Sequence, residues 1–510
     1  MIGNPAAPAA SRGPAAAIAI YATAWAVVPA LTNAAPPLDV VEGYAFGRSG
    51  LLVTHEHPNL PGLLLAGLQW LGGAAGWPAY ALSPYALSAA AMVATLFMVR
   101  RLGRDLLGEP AASVGTLLLL TVFYFQWPIP EWNHNVAQVP LWAAVSLSLW
   151  RAVTTGRRRW WLALGLAGGL ALWAKYAAVV LLGVAALYIV SRPLGRRRLA
   201  TAGPWLGLLV FVCVLAPQVL ALAAADLYPL RYAVGRADQA DAGGAGTFLL
   251  AQLADHALML LAVAILYGMA RRDRPVERPR PDKEARLFLP VMALGPVAAT
   301  VAGAVITGSG LQDMWGMPMF NLSGLLAVAL VPGLGTLAAR RRIGLVAVSV
   351  SVLVPVLYAA HVLLPPRFGT PPPREAWPQD RIAAVAREGY RAATGKPLAA
   401  VAGTGWVAGL VALDGDEPVL VLPDSHERVV VGPALAPRTP VLVVWRPERG
   451  VPALLSEAAQ RSAEQWRISW RGERLVLAYA VTAAADLDPG ASGTTITPWP
   501  LTHERPLPVK

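Results

Sequence analysis

Residues 160–190 read WWLALGLAGGLALWAKYAAVVLLGVAALYIV, an apolar run of 31 residues in which Lys175 is the only charged side chain. A single helix of this length would extend about 46 Å, which is well beyond the ~30 Å hydrocarbon core of a bilayer. We therefore predict two short helices that meet at a turn on the outer side of a membrane, with Lys175 and Tyr176 in that turn.

Clusters of basic residues on both sides of this run require the same division. The five clusters are Arg100, Arg101 and Arg104; Arg151 with Arg157–Arg159; Arg192 with Arg196–Arg198; the run Arg271–Arg286; and Arg340–Arg342. The positive-inside rule places all five in the cytoplasm together with Arg12, so an even number of crossings must separate any two of them. Four basic residues of the membrane part then lie on the outer side: Arg48, Lys175, Arg231 and Arg236.

The composition of the whole chain supports a membrane protein. Of its 510 residues, 56% are hydrophobic and 14% are charged, whereas soluble domains carry about 25% charged residues. The formal net charge is +12, but the basic residues lie in short clusters between apolar runs, which disfavours nucleic acid as a partner. The single cysteine, Cys213, excludes an intramolecular disulfide and a zinc site built on several thiolates.

The apolar segments predict an all-α polytopic membrane protein with about eleven transmembrane helices. The crossings are 15–32, 80–99, 111–127, 135–153, two within 160–190, 203–222, 253–270, 287–306, 317–338 and 343–364. Residues 60–77 are also apolar, but parity assigns them to an interfacial or re-entrant helix on the outer side. The N-terminus is then cytoplasmic and the C-terminus extracytoplasmic.

The composition changes after residue 365. We predict a membrane domain over 1–365, an extracytoplasmic α/β domain over 366–485, and a poorly ordered tail rich in Pro, Gly and Thr over 486–510. Within the α/β domain the pattern predicts an amphipathic helix over 379–394 and strands over 398–402, 419–422, 441–445 and 475–480.

Acidic residues and histidines gather in the first outer loop. Asp39 and Glu42 are spaced i to i+3, so both carboxylates project to one side of a helical turn. His55, Glu56 and His57 follow shortly after, and they are candidates for a metal site, although a His-x-His pair is more often satisfied or solvent-exposed. A solvated loop is the alternative for the whole segment.

Two other outer segments carry polar residues with competing interpretations. The loop before residue 135 contains Asn133 and His134, and capping of the next helix is as good an explanation for Asn133 as a role in a site. Trp315 in the loop 308–321 is best explained as an interfacial anchor. For Lys175 the alternative to a binding role is snorkelling to the membrane surface.

Five segments together carry a resemblance to a known family. In chain order they are LDVVEGYAFGR, HEHPNLPGLLL, WNHNVAQVPLW, LALWAKYAAVVLL and DMWGMPMF, within roughly residues 15–340. They are similar to elements of glycosyltransferase family 39, which has the polytopic GT-C fold and includes protein mannosyltransferases and lipid A aminoarabinose transferases. Asn59 stands where the family pattern has a second proline, and two residues separate Asp39 from Glu42.

The resemblance implies an enzyme that moves a sugar, with inversion, from a polyprenyl-phosphate carrier to a glycolipid, polysaccharide or protein of the cell envelope. It implies a location in the bacterial inner membrane, with chemistry at the outer face. The implied roles are Asp39 as base with Glu42 as the second catalytic carboxylate; Lys175, His57, Arg48 and Arg231 as ligands of the donor phosphate; and Glu56, Asn133, His134 and Tyr176 as residues that position the acceptor. A divalent metal ion is left open, with His55, Glu56 and His57 as candidate ligands.

Two other classes of function compete with this expectation. A transporter or flippase of lipid-linked sugars would carry ionisable residues along its membrane spans, whereas here the polar groups concentrate at one face. A non-catalytic member that binds lipid-linked sugars would work through its outer domain. Release of carrier phosphate from a polyprenyl-phosphate sugar distinguishes an enzyme from both.

Overall fold

The computed structural model describes residues 12–74, 79–237, 243–271, 282–365, 371–415, 417–422, 429–470, 473–487 and 494–496. Residues up to 365 are mainly helical. The helices are α1 (Arg12–Thr32), α2 (Leu38–Arg48), α3 (Leu60–Ala74), α4 (Ala79–Leu107), α5 (Ala111–Leu119), α6 (His134–Thr155), α7 (Arg158–Ala174), α8 (Ala178–Ser191), α9 (Pro193–Leu199), α10 (Ala202–Ala224), α11 (Tyr228–Ala237), α12 (Ala245–Asp255), α13 (Ala257–Ala270), α14 (Lys283–Thr307), α15 (Ser323–Leu330) and α16 (Leu337–Leu363).

The predicted division of residues 160–190 is confirmed. Helix α7 ends at Ala174 because Lys175 adopts an extended backbone, with φ −164° and ψ 139°. The Lys175 N–H still donates to the Ala171 carbonyl at 3.0 Å, and α8 begins three residues later. The chain therefore turns at Lys175.

Length and composition identify the helices that can cross a membrane. Six helices in the described part of the chain qualify, and the number rises to eight if two bent pairs, α8 with α9 and α12 with α13, each form one span. Helices α5 and α15 are much shorter than the predicted crossings 111–127 and 317–338. The count of eleven crossings therefore stays a prediction.

The loops predicted to be cytoplasmic lie together at one end of the helical bundle. Arg151 forms an ion pair with Asp105 at 2.7 Å, which joins the first two basic clusters. Arg198 donates to the last carbonyls of α6, and Arg192 pairs with Glu284 at 2.8 Å. These contacts connect four of the five clusters, as expected if their loops share one side of the membrane.

A mixed α/β domain follows the membrane part, as the sequence predicts. Its elements are α17 (Gln379–Thr394), β1 (Val401–Gly403), α18 (Gly405–Ala412), β2 (Val419–Val421), β3 (Val429–Val431), β4 (Pro440–Trp445), α19 (Glu457–Arg461), β5 (Glu464–Trp470), β6 (Glu473–Ala483) and β7 (Thr494–Ile496). The strand order is β5-β6-β4-β1-β2-β3-β7. Strand β1 pairs in parallel with β2 and β4, β3 in parallel with β7, and the other neighbours are antiparallel.

The α/β domain differs from expectation at several elements. Helix α17 has the predicted bounds, but β3, β5, α18 and α19 were not predicted. Strand β7 lies within the predicted tail, where it pairs with β3 and buries Ile496. The sheet therefore extends beyond the predicted domain boundary at residue 485, while residues 497–510 lie outside the described part.

The α/β domain docks onto α2 through α18. The N–H groups of Ala34 and Ala35 donate to the Glu375 carbonyl at 2.7 and 2.9 Å. A methyl group added at Gly405 would approach a Glu42 carboxyl oxygen to 2.6 Å, so that carboxyl lies directly against the start of α18. The domain thus contacts a helix that carries candidate catalytic residues.

The shared location of the basic loops predicts which positions a membrane-impermeant thiol reagent reaches in intact spheroplasts. In a Cys213→Ala background, Ser309→Cys and Glu388→Cys should be labelled from outside, because both lie away from the basic end. Arg157→Cys and Arg197→Cys should be labelled only after the spheroplasts are lysed. External labelling of Arg157→Cys would contradict the placement of Lys175 at the outer face.

Candidate active site

A cavity of about 480 Å³ lies at the end of the bundle opposite the basic clusters. It is lined by parts of α2, α3 and α11, the loop before α6, the turn after α7 and the loop before α15. The predicted site residues among its lining are Asp39, Glu42, His55, Glu56, His57, Asn133, His134, Lys175 and Tyr176. We call this space the first cavity.

Asn133 connects Asp39 to the start of α6. Its side-chain oxygen accepts from the N–H groups of Asn135 and Val136 at 2.9 and 3.0 Å, which is an N-cap. Its side-chain nitrogen donates to Asp39 Oδ2 at 2.9 Å. The sequence left capping and a place in the site as alternatives, and one amide both caps α6 and contacts Asp39.

Asn135, two residues further along, holds the Lys175 side chain. Its Oδ1 accepts from Lys175 Nζ at 2.8 Å, and the Lys175 residue is 8% exposed. The ammonium also lies 6.0 Å from the centre of the Trp315 ring, at the outer limit of a cation–π contact. A buried Lys that donates to Asn135 does not extend into solvent, which argues against snorkelling.

The first outer loop is closed by short-range hydrogen bonds. Thr54 N–H donates to the His57 carbonyl at 2.8 Å, and His57 N–H donates to Thr54 Oγ1 at 3.1 Å. Asn59 is buried and donates through its side chain to the Leu51 carbonyl at 2.8 Å. The asparagine that replaces the family's second proline therefore holds the two ends of this loop together.

His134 packs against that loop from the start of α6. Its Nε2 lies 3.1 Å from the Pro58 carbonyl, and its ring centre is 4.4 Å from that of His57. Burial, followed by the charges of His134 and Lys175, lowers the pKa of His57. A neutral His57 can donate one N–H into the cavity.

The Glu56 carboxylate has two neighbours, Tyr232 and His55. Tyr232, on α11, donates to Glu56 Oε1 at 2.6 Å, and His55 Nε2 lies 3.5 Å from the same oxygen. Among the residues that the structure describes, no three His, Cys, Asp or Glu side chains are placed to hold a metal ion together. His55, Glu56 and His57 therefore do not form the metal-ligand set that the sequence left open.

Two predicted phosphate ligands lie outside the first cavity. Arg48 reaches into the α/β domain, where its Nη1 donates to the carbonyls of Ala412 and Gly415. Arg231 is exposed on α11, and the next residue, Tyr232, faces the cavity instead. In this structure Arg48 forms an interdomain contact and Arg231 lies on the surface, so neither side chain lines the first cavity.

Glu131 is a site residue that the sequence reasoning missed. Its Oε1 accepts from the Asp39 N–H at 3.3 Å, at the first turn of α2. Trp315 was also misjudged, since it lines the cavity with Gln312 and Met314. Its position in the DMWGMPMF motif, five residues before Phe320, does not indicate which way the ring faces.

Burial sets the charge states in this cavity. It raises the pKa of Asp39, and this effect outweighs the Asn133 hydrogen bond and the Lys175 ammonium, which act in the opposite direction. Burial and the neighbouring Asp39 raise the pKa of Glu131 to about 8. Burial lowers the pKa of Lys175 to about 8, so Lys175 is mostly protonated at neutral pH. The cavity thus combines a carboxylate of increased basicity with a buried cation.

Comparison with known proteins agrees with the resemblance. Residues 56–220 match the family model described as dolichyl-phosphate-mannose-protein mannosyltransferase. No curated protein sequence matches the chain significantly.

Solved structures share the architecture at low sequence identity. The crystal structure of ArnT from Cupriavidus metallidurans bound to undecaprenyl phosphate superposes with a TM-score of 0.58 at 15% identity, covering 92% of this chain and 97% of that one. The arabinofuranosyltransferase AftD from Mycobacteria gives a TM-score of 0.50 at 14% identity, covering 93% of this chain and 40% of that one.

The chain therefore has the fold of the GT-C glycosyltransferases. Its residues 56–220 are similar to the dolichyl-phosphate-mannose-protein mannosyltransferase family, in agreement with the resemblance carried by the sequence motifs.

The double role of Asn133 predicts that its two hydrogen bonds can be separated. Asn133→Ser keeps an N-cap oxygen, so the unfolding temperature should stay close to wild type, but sugar transfer should fall at least about tenfold because Asp39 loses its donor. Asn133→Ala should also lower the free energy of unfolding by about 1 kcal/mol.

Thr336, which caps α16 far along the chain, provides the control. Thr336→Ala should lower the unfolding temperature and leave transfer per folded molecule unchanged. Full activity in Asn133→Ser would show that the Asp39 contact has no catalytic consequence.

Proposed function

We propose that the protein is an inverting glycosyltransferase that uses a polyprenyl-phosphate-linked sugar as donor. Transfer takes place at the outer face of a bacterial inner membrane, onto a glycolipid, polysaccharide or protein of the envelope. The observation that carries this proposal is the placement of Asp39 and the buried Lys175 in one cavity, each fixed by an asparagine of the same α6 start.

The chemistry of a phosphate leaving group explains Lys175. When the bond between the anomeric carbon and the phosphate oxygen breaks, the carrier phosphate keeps the electron pair and gains negative charge. A buried ammonium beside that oxygen stabilises the developing charge more strongly than it would in water. A neutral His57 adds a hydrogen-bond donor at the same wall of the cavity.

Asp39 is the base in this proposal. The acceptor hydroxyl transfers its proton to the Asp39 carboxylate while its oxygen bonds to the anomeric carbon from the face opposite the phosphate. A single displacement of this kind inverts the configuration at the anomeric carbon. Glu42 is the second carboxylate on the same helix, one turn further along α2, and Glu56, Asn133, His134 and Tyr176 position the reacting groups.

The ArnT structure supports a lipid-linked donor, because that protein was crystallised with undecaprenyl phosphate. The basic end of the bundle supports an orientation with the N-terminus in the cytoplasm and the first cavity on the opposite side. The α/β domain docks beside this cavity and is therefore extracytoplasmic in the proposal.

The assignment of the base predicts the behaviour of two isosteric variants. Asp39→Asn should reduce transfer at least about a hundredfold, because the amide cannot accept the acceptor's proton but can still accept the Asn133 hydrogen bond. Binding of undecaprenyl phosphate to the purified protein should change little. Both quantities are measured on detergent-solubilised full-length protein.

Glu42→Gln is the matched comparison on the same helix. If Glu42→Gln is inactive and Asp39→Asn is active, Glu42 is the base and Asp39 is the second carboxylate. Activity in both variants would contradict the catalytic assignment of α2.

The placement of Lys175 predicts a loss of donor affinity. Lys175→Ala should weaken undecaprenyl phosphate binding at least about tenfold, since a charge-assisted contact contributes about 1.5–3 kcal/mol. Lys175→Arg should restore part of the affinity, because it keeps the charge but not the compact geometry.

Arg231→Ala removes an exposed basic residue outside the cavity and should bind undecaprenyl phosphate like wild type. Unchanged affinity in Lys175→Ala would remove Lys175 from the donor site, and equal losses in both variants would indicate a general effect of surface charge.

A further inference from the structure

The loop that carries Trp315 is fastened to α12 and to the segment just before this helix. We call residues 311–320, which lie between α14 and α15, the Trp315 loop. Its first residue pairs with that segment, since the Leu311 N–H donates to the Gly243 carbonyl at 2.8 Å. The side chains that the loop contributes to the lining of the first cavity are Gln312, Met314 and Trp315.

Gln252, on α12, holds the middle of this loop. Its side-chain Nε2 donates to the Asp313 carbonyl at 2.9 Å, and the residue is buried. A methyl group added at Gly316 would overlap the Gln252 amide, so the glycine leaves the space that this amide fills. The amide therefore contacts the loop on both sides of Trp315.

The Tyr124 hydroxyl joins the same contact from a third segment. It lies 2.6 Å from the Asp313 carbonyl oxygen and 2.9 Å from Gln252 Oε1, and these two acceptors share its proton. Tyr124 lies between α5 and α6, and its segment continues to the start of α6, where the asparagine that holds Lys175 lies. The segments that place an amide and the Trp315 ring beside the Lys175 ammonium therefore meet at Gln252.

We propose that Gln252 is a positioning residue of the donor site, which sets Trp315 against Lys175 so that the buried ammonium stays shielded from water. Gln252 itself does not line the first cavity. Its effect passes through the Trp315 ring, whose centre lies 6.0 Å from Lys175 Nζ. A shielded charge attracts an incoming anion more strongly than a hydrated charge does. The inference rests on the proposed function, because it concerns the site of the carrier phosphate.

The titration of Lys175 measures this shielding. Burial lowers its pKa to about 8, while the carboxylates of Asp39 and Glu56 act in the opposite direction. The imidazoles of His57 and His134 also interact with the ammonium. If the indole ring moves away, water reaches the ammonium and desolvation weakens. The pKa of Lys175 then rises towards the ordinary lysine value of about 10.4.

Competitive acetylation of the detergent-solubilised full chain by trace acetic anhydride tests the inference. The reaction is followed from neutral to strongly alkaline pH by mass spectrometry of the Lys175 peptide, with the exposed Lys396 as internal reference. The midpoint should lie near pH 8 in the wild type and rise by at least about one pH unit in Gln252→Leu. Undecaprenyl phosphate should bind Gln252→Leu at least about fivefold more weakly at neutral pH.

Two further variants distinguish positioning from a loss of stability. Gly316→Ala keeps Gln252 but displaces its amide, so it should raise the Lys175 midpoint in the same direction and does not depend on Gln252→Leu folding. Trp315→Ala should raise the midpoint as well. Adding Gln252→Leu to Trp315→Ala should produce no further shift, because the ring through which Gln252 acts is already absent.

Gln379→Leu provides the matched control. Gln379 is a buried glutamine of the α/β domain whose Nε2 donates to the Leu410 carbonyl at 3.3 Å, and its substitution should leave the Lys175 midpoint at the wild-type value.

Four outcomes would overturn the inference. They are a wild-type Lys175 midpoint at the ordinary lysine value, an unchanged midpoint in both Gln252→Leu and Gly316→Ala, additive shifts of Gln252→Leu and Trp315→Ala, or an equal shift in Gln379→Leu. If the midpoints shift as expected but the wild-type protein does not bind undecaprenyl phosphate, the proposed function is contradicted and the positioning of Trp315 by Gln252 stands.

Discussion

The Asn133 side chain connects the folding of the bundle to the geometry of the site. Its oxygen ends the loop and starts α6, and its nitrogen holds the Asp39 carboxylate. Two residues later, Asn135 holds Lys175 from the same helix start. Because α6 is one of the most buried of the long helices, these contacts attach the Asp39 carboxylate and the Lys175 ammonium to a rigid part of the protein.

Burying the Lys175 charge requires compensation from its surroundings. Desolvation disfavours the ammonium, while the Asn135 oxygen and the carboxylates of Asp39 and Glu56 favour it. The outcome is a pKa of about 8, close enough to neutrality that the charge persists but is weakly satisfied. A weakly satisfied buried cation gains from an incoming anion, which is the electrostatic requirement of a phosphate site.

Local sequence patterns predicted some elements of the fold and some site residues correctly, but they did not predict others. The break at Lys175 and the bounds of α17 follow from length limits and periodicity, which neighbouring residues determine. The contacts of Arg48 could not be predicted, because its partners are 364 or more residues away in the chain. The positions of Trp315 and Tyr232 in the cavity lining were not predicted, because they depend on which way a loop and a short helix face. Helices α5 and α15 are shorter than the crossings predicted there, because apolar residues continue beyond both helices and hydropathy does not indicate where a helix ends.

The contact between Arg48 and the Ala412 carbonyl also has a consequence for biosynthesis. The ribosome makes α2 early, yet the surface on which this helix rests is completed only after another 364 residues have been added. During that interval Glu42 lacks the backbone of α18 beside its carboxyl. A nascent chain that ends before α18 contains both Lys175 and Asn135 but lacks the backbone that lies against the Glu42 carboxyl. The surroundings of Glu42 are therefore completed only after the α/β domain has folded.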